Sequence, residues 1–191
     1  MSYSPEHKHR TKEKILTAAA RLFKSKGYEG VGIDTIMAEA GLTRGGFYAH
    51  FPNKEELFSQ IVSPRPIDVP SPETPEEQQV FLDKIFDYYF SKGHRDNPEN
   101  GCPLPALSAD IAKAGGTAQK RYRMIFRKFA KILTHGLKKE TAPKLSETSY
   151  AMLSMMIGGV VVSRALGQNK TSDEVLAACR AACHELAKTP N

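Results

Sequence analysis

An all-α protein is expected from three features of the 191-residue sequence. Apolar residues recur at three- and four-residue spacing along most of the chain, as one face of a helix requires. Gly27, Gly41, Pro52 and five prolines between residues 64 and 75 fall at the ends of these periodic stretches. No stretch shows the two-residue apolar alternation of a half-buried strand, and no internal repeat is present. Charged residues are 25% and hydrophobic ones 40%, which excludes wholesale disorder. The length suits one domain, or two small ones sharing a core, without disulfide or metal staples. Three cysteines with no CxxC spacing exclude a disulfide scaffold and point to a reducing compartment. The N-terminal residues are polar and lack the apolar segment of a secretory signal. The longest apolar run, residues 150–163, is interrupted by Ser154, closed by Arg164, and read as too short to span a bilayer. A cytoplasmic setting with no membrane contact is expected.

Ile15, Leu16, Ala19, Leu22 and Phe23 form the first apolar face, and Gly27 after Lys24 and Lys26 is a C-terminal stop. Ile33, Ile36, Met37 and Ala40 make a short second helix closed by Gly41. A third helix is expected over residues 43–51, with Thr43 as N-cap, Phe47, Tyr48 and Phe51 along it, and Pro52 as its end. Asn53, with Glu56 at the third helical position, opens a fourth helix over residues 53–63 through Leu57, Phe58, Ile61 and Val62. Pro64, Pro66, Pro70, Pro72 and Pro75 then make residues 63–75 a linker. A fifth helix is expected over residues 76–92, with Val80, Phe81, Lys84, Ile85 and Tyr88 on one side, and residues 93–105 read as a loop. Further helices are expected over residues 106–114, 117–139, 145–166 and 172–188, about nine in all. The last carries Val175, Leu176, Cys179, Ala182, Cys183 and Leu186 as a broad apolar stripe.

The net charge is +6, compatible with a polyanionic partner. It is unevenly spread: residues 61–112 carry −5 and residues 113–139 carry +9. A solvated helix face near the acidic stretch accounts for the basic run better than nucleic acid does, because the pattern suited to nucleic acid lies elsewhere.

That pattern occupies residues 33–51. Two short helices meet at Gly41, which can take the left-handed conformation of a sharp helix–turn–helix corner. The second presents Arg44, Gly45, Gly46, Tyr48, Ala49 and His50 outside its apolar residues, as a helix lying in a major groove would. Tyr48 and His50 can donate to phosphate oxygens. Arg44 has the fork that matches guanine O6 and N7, and the glycines permit close backbone approach.

The run Ile36-Met37-Ala38-Glu39-Ala40-Gly41-Leu42-Thr43-Arg44-Gly45-Gly46-Phe47-Tyr48-Ala49-His50-Phe51, followed by Lys54-Glu55-Glu56-Leu57-Phe58, resembles the TetR-type bacterial transcriptional repressors. Residues 15–23 fit that family's first helix. The specific match covers roughly the first 60 residues. Beyond them only helix number and length agree.

The resemblance implies a three-helix DNA-binding domain over residues 1–53 and a larger helical domain for ligand binding and dimerisation over residues 54–191. It implies a homodimer paired through the last two helices, a palindromic double-stranded operator, and release by a small-molecule effector. Carried over residue by residue, Thr43, Tyr48, His50 and Lys54 look like phosphate clamps, with Thr35 as a further one. Arg44, Gly45 and Gly46 look like the base-reading edge, and Phe47 and Phe51 like packing. The chain departs from the family pattern twice. Gly45-Gly46 is a doublet where one glycine is common, and each glycine costs a helix about 0.8–1 kcal/mol relative to alanine. The prolines from residue 64 onward also stop the fourth helix early, where the family usually continues it as a lever.

Cys102, in Gly101-Cys102-Pro103-Leu104-Pro105, precedes a helix, and His94 and Arg95 are near in sequence. A helix N-terminus favours a thiolate, and some family members sense electrophiles or oxidants through a Gly-Cys pair here. A small buried residue at a helix start reads the same. Phe81, Tyr88, Tyr89, Met124, Phe129, Met152 and Met156 are candidates for an adaptable apolar effector pocket, and plain core is the alternative. Cys179 and Cys183 are four apart on one helix and suit packing. His7-x-His9 reads as a solvated terminal segment. No metal, cofactor or catalytic role is assigned. A Cys102 nucleophile assisted by His94 lacks an orienting third group. An architectural DNA binder without effector is the remaining alternative.

Overall fold

The computed structural model describes residues 4–62, 72–137 and 145–188. Among these residues the regular structure is all helical. The first elements are α1 (Pro5–Lys26), α2 (Ile33–Glu39), a 3-10 turn over Arg44–Ala49, and α3 (Lys54–Ile61). Then come α4 (Pro75–Tyr89), α5 (Lys92–Asp96), a 3-10 turn over Pro98–Asn100, and α6 (Pro103–Ala114). The chain continues as α7 (Gly116–Thr134), α8 (Leu145–Leu166) and α9 (Lys170–Lys188). The described residues of Met1–Ser63 and Pro98–Arg123 form one compact unit, and those of Pro64–Asn97 and Met124–Asn191 form the other.

In the first unit α1 begins well before its apolar face. The Ser4 side chain accepts from the His7 N–H, and Pro5 sits where a missing N–H costs nothing. His7 and His9 are therefore helical, not part of a loose terminus. Ile15, Ala19, Phe23, Ile36, Phe47, Leu57 and Phe58 are fully buried, each worth about 1.5–3 kcal/mol for the larger side chains. Phe58 meets Phe23 edge-on at 5.4 Å and Tyr28 at 4.8 Å, which fastens α3 to α1. α3 is capped by Asn53, accepting from the Glu56 N–H at 2.7 Å, and α6 packs on α1. The expected helix over residues 43–51 is instead the six-residue 3-10 turn, and the Thr43 side chain makes no cap bond. Two adjacent glycines and the proline at residue 52 leave too little helix-forming chain for α-helical bonding to propagate.

The rest of the chain corrects three further expectations. Residues 93–105 are not a plain loop. Ser91 caps α5, and Pro103 lies in the first turn of α6, so the prolines there start a helix rather than stop one. In α4 the buried stripe is Leu82, Phe86 and Tyr89, while Val80 and Tyr88 are exposed. A capping box between Thr74 and Glu77 fixes the helix start. Finally, Glu147–Leu166 of α8 is long and apolar enough to cross a membrane, so length does not exclude that role. The helix packs along α9, and its Met152, Leu153, Met156 and Val160 are buried. The end of the expected helix over residues 117–139 and the linker prolines from residue 64 to 70 lie outside the described residues.

α8 and α9 are antiparallel and close: a Cβ on Gly159 would come within 2.8 Å of the Cys179 Sγ. Their connecting corner is held by Arg95 of α5. Its guanidinium donates to Asp96 at 2.6 Å, Ser172 at 2.8 Å and Asp173 at 2.7 Å. Arg164 of α8 donates to the carbonyls of Arg95 and His94 at 2.9 and 2.8 Å. Hydrogen bonding to Asp96, and then to Asp173, raises the Arg95 pKa, although burial opposes it. Hydrogen bonding to Arg95 lowers that of Asp96, and hydrogen bonding to Lys92 and Arg95 lowers that of Asp173.

Arg95→Ala removes charge-assisted hydrogen bonds but leaves carboxylates that are partly exposed, so it is expected to destabilise the protein by about 1.5 kcal/mol in urea unfolding. The two carboxylates have depressed folded-state pKa values. Their contribution is therefore complete above the ordinary Asp pKa of about 3.9 and lost as the pH falls below it. Stability measured from pH 6 to pH 2 (chosen to bracket about 3.9) should fall less steeply in Arg95→Ala than in the wild type.

Candidate nucleic-acid interface

The exposed edge of the 3-10 turn is built on a fixed corner. Gly41 has φ +68°, the Gly41 N–H donates to the Ala38 carbonyl at 3.0 Å, and the Leu42 N–H donates to the Met37 carbonyl at 2.9 Å. This paired closure ends α2 and aims the next residues across it. Phe47 and Phe51, 5.7 Å apart, are buried and pin the turn from below. Arg44, Gly45 and Tyr48 are left on the outer surface, with Tyr48 58% exposed. A Cβ on Gly45 would meet nothing within 4 Å, so the space above the backbone is open.

Arg44 is paired with Asp34 of α2 at 2.7 Å, and both side chains are solvent-exposed. Such a pair is worth roughly 0–1 kcal/mol, so a better acceptor can displace it. Thr35 and Thr43 are exposed. His50 is half-buried, and its Nδ1 is buried without a hydrogen-bond partner among the described residues. Burial, then Lys8, Lys12 and His7, lower its pKa. Lys54 is differently engaged. Its ammonium donates to the carbonyls of Tyr28 and Val31 at 2.8 and 2.9 Å and lies 4.1 Å from the centre of the Tyr28 ring. Two of its three N–H donors thus close the loop between α1 and α2.

A cleft of about 490 Å³ runs from this turn to the start of α1. One wall is His7, Lys8, Arg10, Thr11 and Lys14, and the other includes Thr43, Gly46 and His50. Sequence reading missed the α1 residues and Asp34. The Ser4-Pro5 helix start was the signal that would have placed Lys8, Arg10 and Lys14 on a helix.

The family profile "Bacterial regulatory proteins, tetR family" matches residues 15–61, which contain α2, the corner and the turn. The uncharacterized HTH-type transcriptional regulator YxaF of Bacillus subtilis is 28% identical over 171 residues, 80% of this chain and 84% of that protein. The HTH-type transcriptional regulator LmrA of the same organism is 46% identical over 54 residues, 28% of this chain and 29% of that one. Among solved structures, reduced Escherichia coli NemR aligns with a TM-score of 0.70 at 16% identity, covering 95% of this chain and 99% of that one. That likeness shows the fold.

Residues 15–61 of this chain therefore carry a segment of the tetR-family type. The protein is a DNA-binding transcriptional regulator with an all-α fold.

The remaining candidate residues of this regulator are divided between its units. Cys102 is a half-buried residue of the first unit, at the N-cap of α6. Ser108 and the Tyr122 hydroxyl lie 2.7 Å apart, and burial raises the Tyr122 pKa. Phe81, Tyr88, Tyr89, Met124, Phe129, Met152 and Met156 belong to the second unit. Tyr89, Met152 and Met156 are buried, Phe81 and Phe129 half-buried, and Tyr88 and Met124 exposed. Burial pushes the Cys183 thiol up to about 12, with Cys179 adding to it, and Cys183 packs near Met155. Among the described residues no three histidine, cysteine, aspartate or glutamate side chains gather in one metal site.

The Lys54 contacts predict an effect independent of DNA. Lys54→Ala should lower stability by about 2 kcal/mol in urea unfolding, as loss of charge-assisted hydrogen bonds does. Unchanged stability with lost DNA affinity would make Lys54 a phosphate contact alone.

Proposed function

We propose that the protein is a homodimeric repressor of a palindromic operator, read by the 3-10 turn over Arg44–Ala49 and released by a small molecule or by thiol modification at Cys102. The observation that carries this reading is the exposed Arg44–Gly45–Tyr48 edge on a corner fixed by Gly41 and by the buried Phe47 and Phe51. On this reading residues 1–53 contact DNA and residues 54–191 bind effector and dimerise. Arg44 reads guanine, and Thr35, Thr43, Tyr48 and His50 hold phosphates. The packing of α3 and α6 on α1 transmits the effector signal, with Lys24 donating to the Gly101 carbonyl at 3.1 Å beside Cys102. A cytoplasmic location follows from this role.

Dimerisation through α8 and α9 is supported by the outward face of α8. Tyr150, Val161, Val162 and Leu166 are 41–49% exposed, with Ala151, Ser154 and Gly158 exposed between them. An apolar face of this kind on a soluble regulator marks an association surface. Two recognition turns related by a two-fold axis also require half-sites about one or more helical turns apart.

Val161→Glu should give a monomer in sedimentation and lose affinity for a duplex selected from a random pool by the wild type. A persistent dimer would exclude this interface. In the same selection Arg44→Ala should change the preferred sequence, each lost bidentate guanine contact being worth about 1–3 kcal/mol. Tyr48→Phe should instead weaken all sequences alike. For the thiol route, iodoacetamide should label Cys102 well before Cys183, whose high pKa keeps it protonated near neutral pH. Labelling should release the selected duplex from the wild type and not from Cys102→Ser. Release that survives in Cys102→Ser would exclude Cys102 as the sensor.

A further inference from the structure

We propose that the facing sulfurs of α8 and α9 form a binding site for monovalent copper, with the thiolates of Cys179 and Cys183 and the thioether of Met155 as its ligands. The site lies wholly within the second unit and is independent of the DNA-reading role proposed above.

Two of the three ligands share one face of a helix. Cys179 and Cys183 are four apart on α9, so their Cβ atoms stand about 5–6 Å from each other. Side chains at this spacing can chelate one ion, as paired histidines do on a zinc-binding helix, but two ligands alone hold a metal poorly. The packing of α8 supplies the third. The Cys183 S–H donates to the Met155 thioether, with the two sulfurs 3.8 Å apart. Sulfurs that share one ion at about 2.3 Å each, at trigonal angles, stand about 4 Å apart. The Cys183–Met155 pair therefore already has the separation of two ligands on a common ion. Cys179 lies against α8 one turn from Met155, where Gly159 has no side chain: a Cβ there would come within 2.8 Å of the Cys179 sulfur. All three sulfurs thus fall within one helical turn of the α8–α9 contact.

The donor set selects the ion. Thiolate and thioether sulfurs are soft ligands and suit Cu(I). A structural zinc site takes four nitrogen, sulfur or carboxylate ligands, and among the described residues no third histidine, cysteine or carboxylate joins the two thiols. His184, next in sequence, faces Asp83 of α4 at 3.3 Å instead. Cys183 is fully buried, whereas Cys179 and Met155 are half-buried. One ligand is sheltered and two stand at the rim, where a small ion can enter, and the flexible thioether can adjust to it. Burial keeps the proton on Cys183 near neutral pH, so a proton is the ion's competitor at that sulfur. On binding, each thiol gives its proton to solvent and an S–Cu bond replaces the S–H bond. One Cu(I) therefore releases two protons and keeps its oxidation state.

The test uses the reduced full-length protein under anoxic conditions, titrated with Cu(I) in competition with bicinchoninate, a chromogenic Cu(I) chelator. One Cu(I) should bind per chain. Cys179→Ser, Cys183→Ser and Met155→Leu should each weaken binding by more than the roughly tenfold that loss of an outer partner costs a metal site. Cys102→Ser should bind as the wild type does. X-ray absorption at the copper edge should count three sulfur neighbours in the wild type and two in Met155→Leu. Leucine fills the place of Met155 without a sulfur, so this variant decides the matter even if serine at the buried Cys183 prevents folding. Cu(I) affinity that is unchanged in Met155→Leu, lost in Cys102→Ser, or no greater in the folded chain than in urea overturns the proposal. So does retention of Zn(II) in preference to Cu(I) when both ions are supplied.

Discussion

Burial of Phe47 and Phe51 is the constraint on which the DNA-facing side of this regulator depends. Between Gly41 and Pro52 the chain has little intrinsic preference for a helix, and two adjacent glycines weaken it further. Its shape is imposed from beneath, by two aromatic rings 5.7 Å apart in the core of the first unit. The same core takes in Phe23 and Phe58, so α1, α3 and the turn share one apolar support. Lys54 then reaches from α3 to the carbonyls of Tyr28 and Val31 and closes the remaining loop. Outer residues are thus free to be chosen for contact, because none of them is needed to hold the backbone.

The helical class and the helix–turn–helix corner were legible because they depend on local signals. Apolar spacing, Gly41 and the Asn53 cap all act within a few residues. Where local signals conflicted with packing, sequence reading failed in instructive ways. Pro103 looked like loop, yet it occupies the first turn of α6, where its lack of an N–H is harmless. Val80 and Tyr88 looked like core, but a stripe through Leu82, Phe86 and Tyr89 is the one buried. Periodicity alone does not say which of two overlapping stripes meets a partner. Lys54 was read only as a phosphate clamp, and its two carbonyl acceptors, more than twenty residues away in sequence, gave no local signal. The Arg95 cluster was invisible for the same reason: Ser172 and Asp173 come to it from another helix.

The two units manage charge in opposite ways. In the second, Arg95 is surrounded by acceptors, and its cost of burial is offset by Asp96, Asp173 and Ser172. At the start of α1 the cations remain exposed at the surface. A charge satisfied internally specifies a structure. A charge left facing water adds little to stability and remains available to a partner.

The Arg44–Asp34 pair has a consequence for discrimination. Asp34 holds the guanidinium at the outer edge of α2 with an exposed contact worth little more than thermal energy. Before DNA arrives, the fork therefore exchanges between Asp34 and water. Under the proposed reading, guanine must outcompete an acceptor that the protein carries itself. At a non-cognate base pair the fork stays with Asp34, and the carboxylate is not left bare toward the phosphates. A wrong sequence then forfeits the gain without stranding a charge. That moderates the penalty for mismatch and lets the regulator move along DNA between sites without a deep trap at each step.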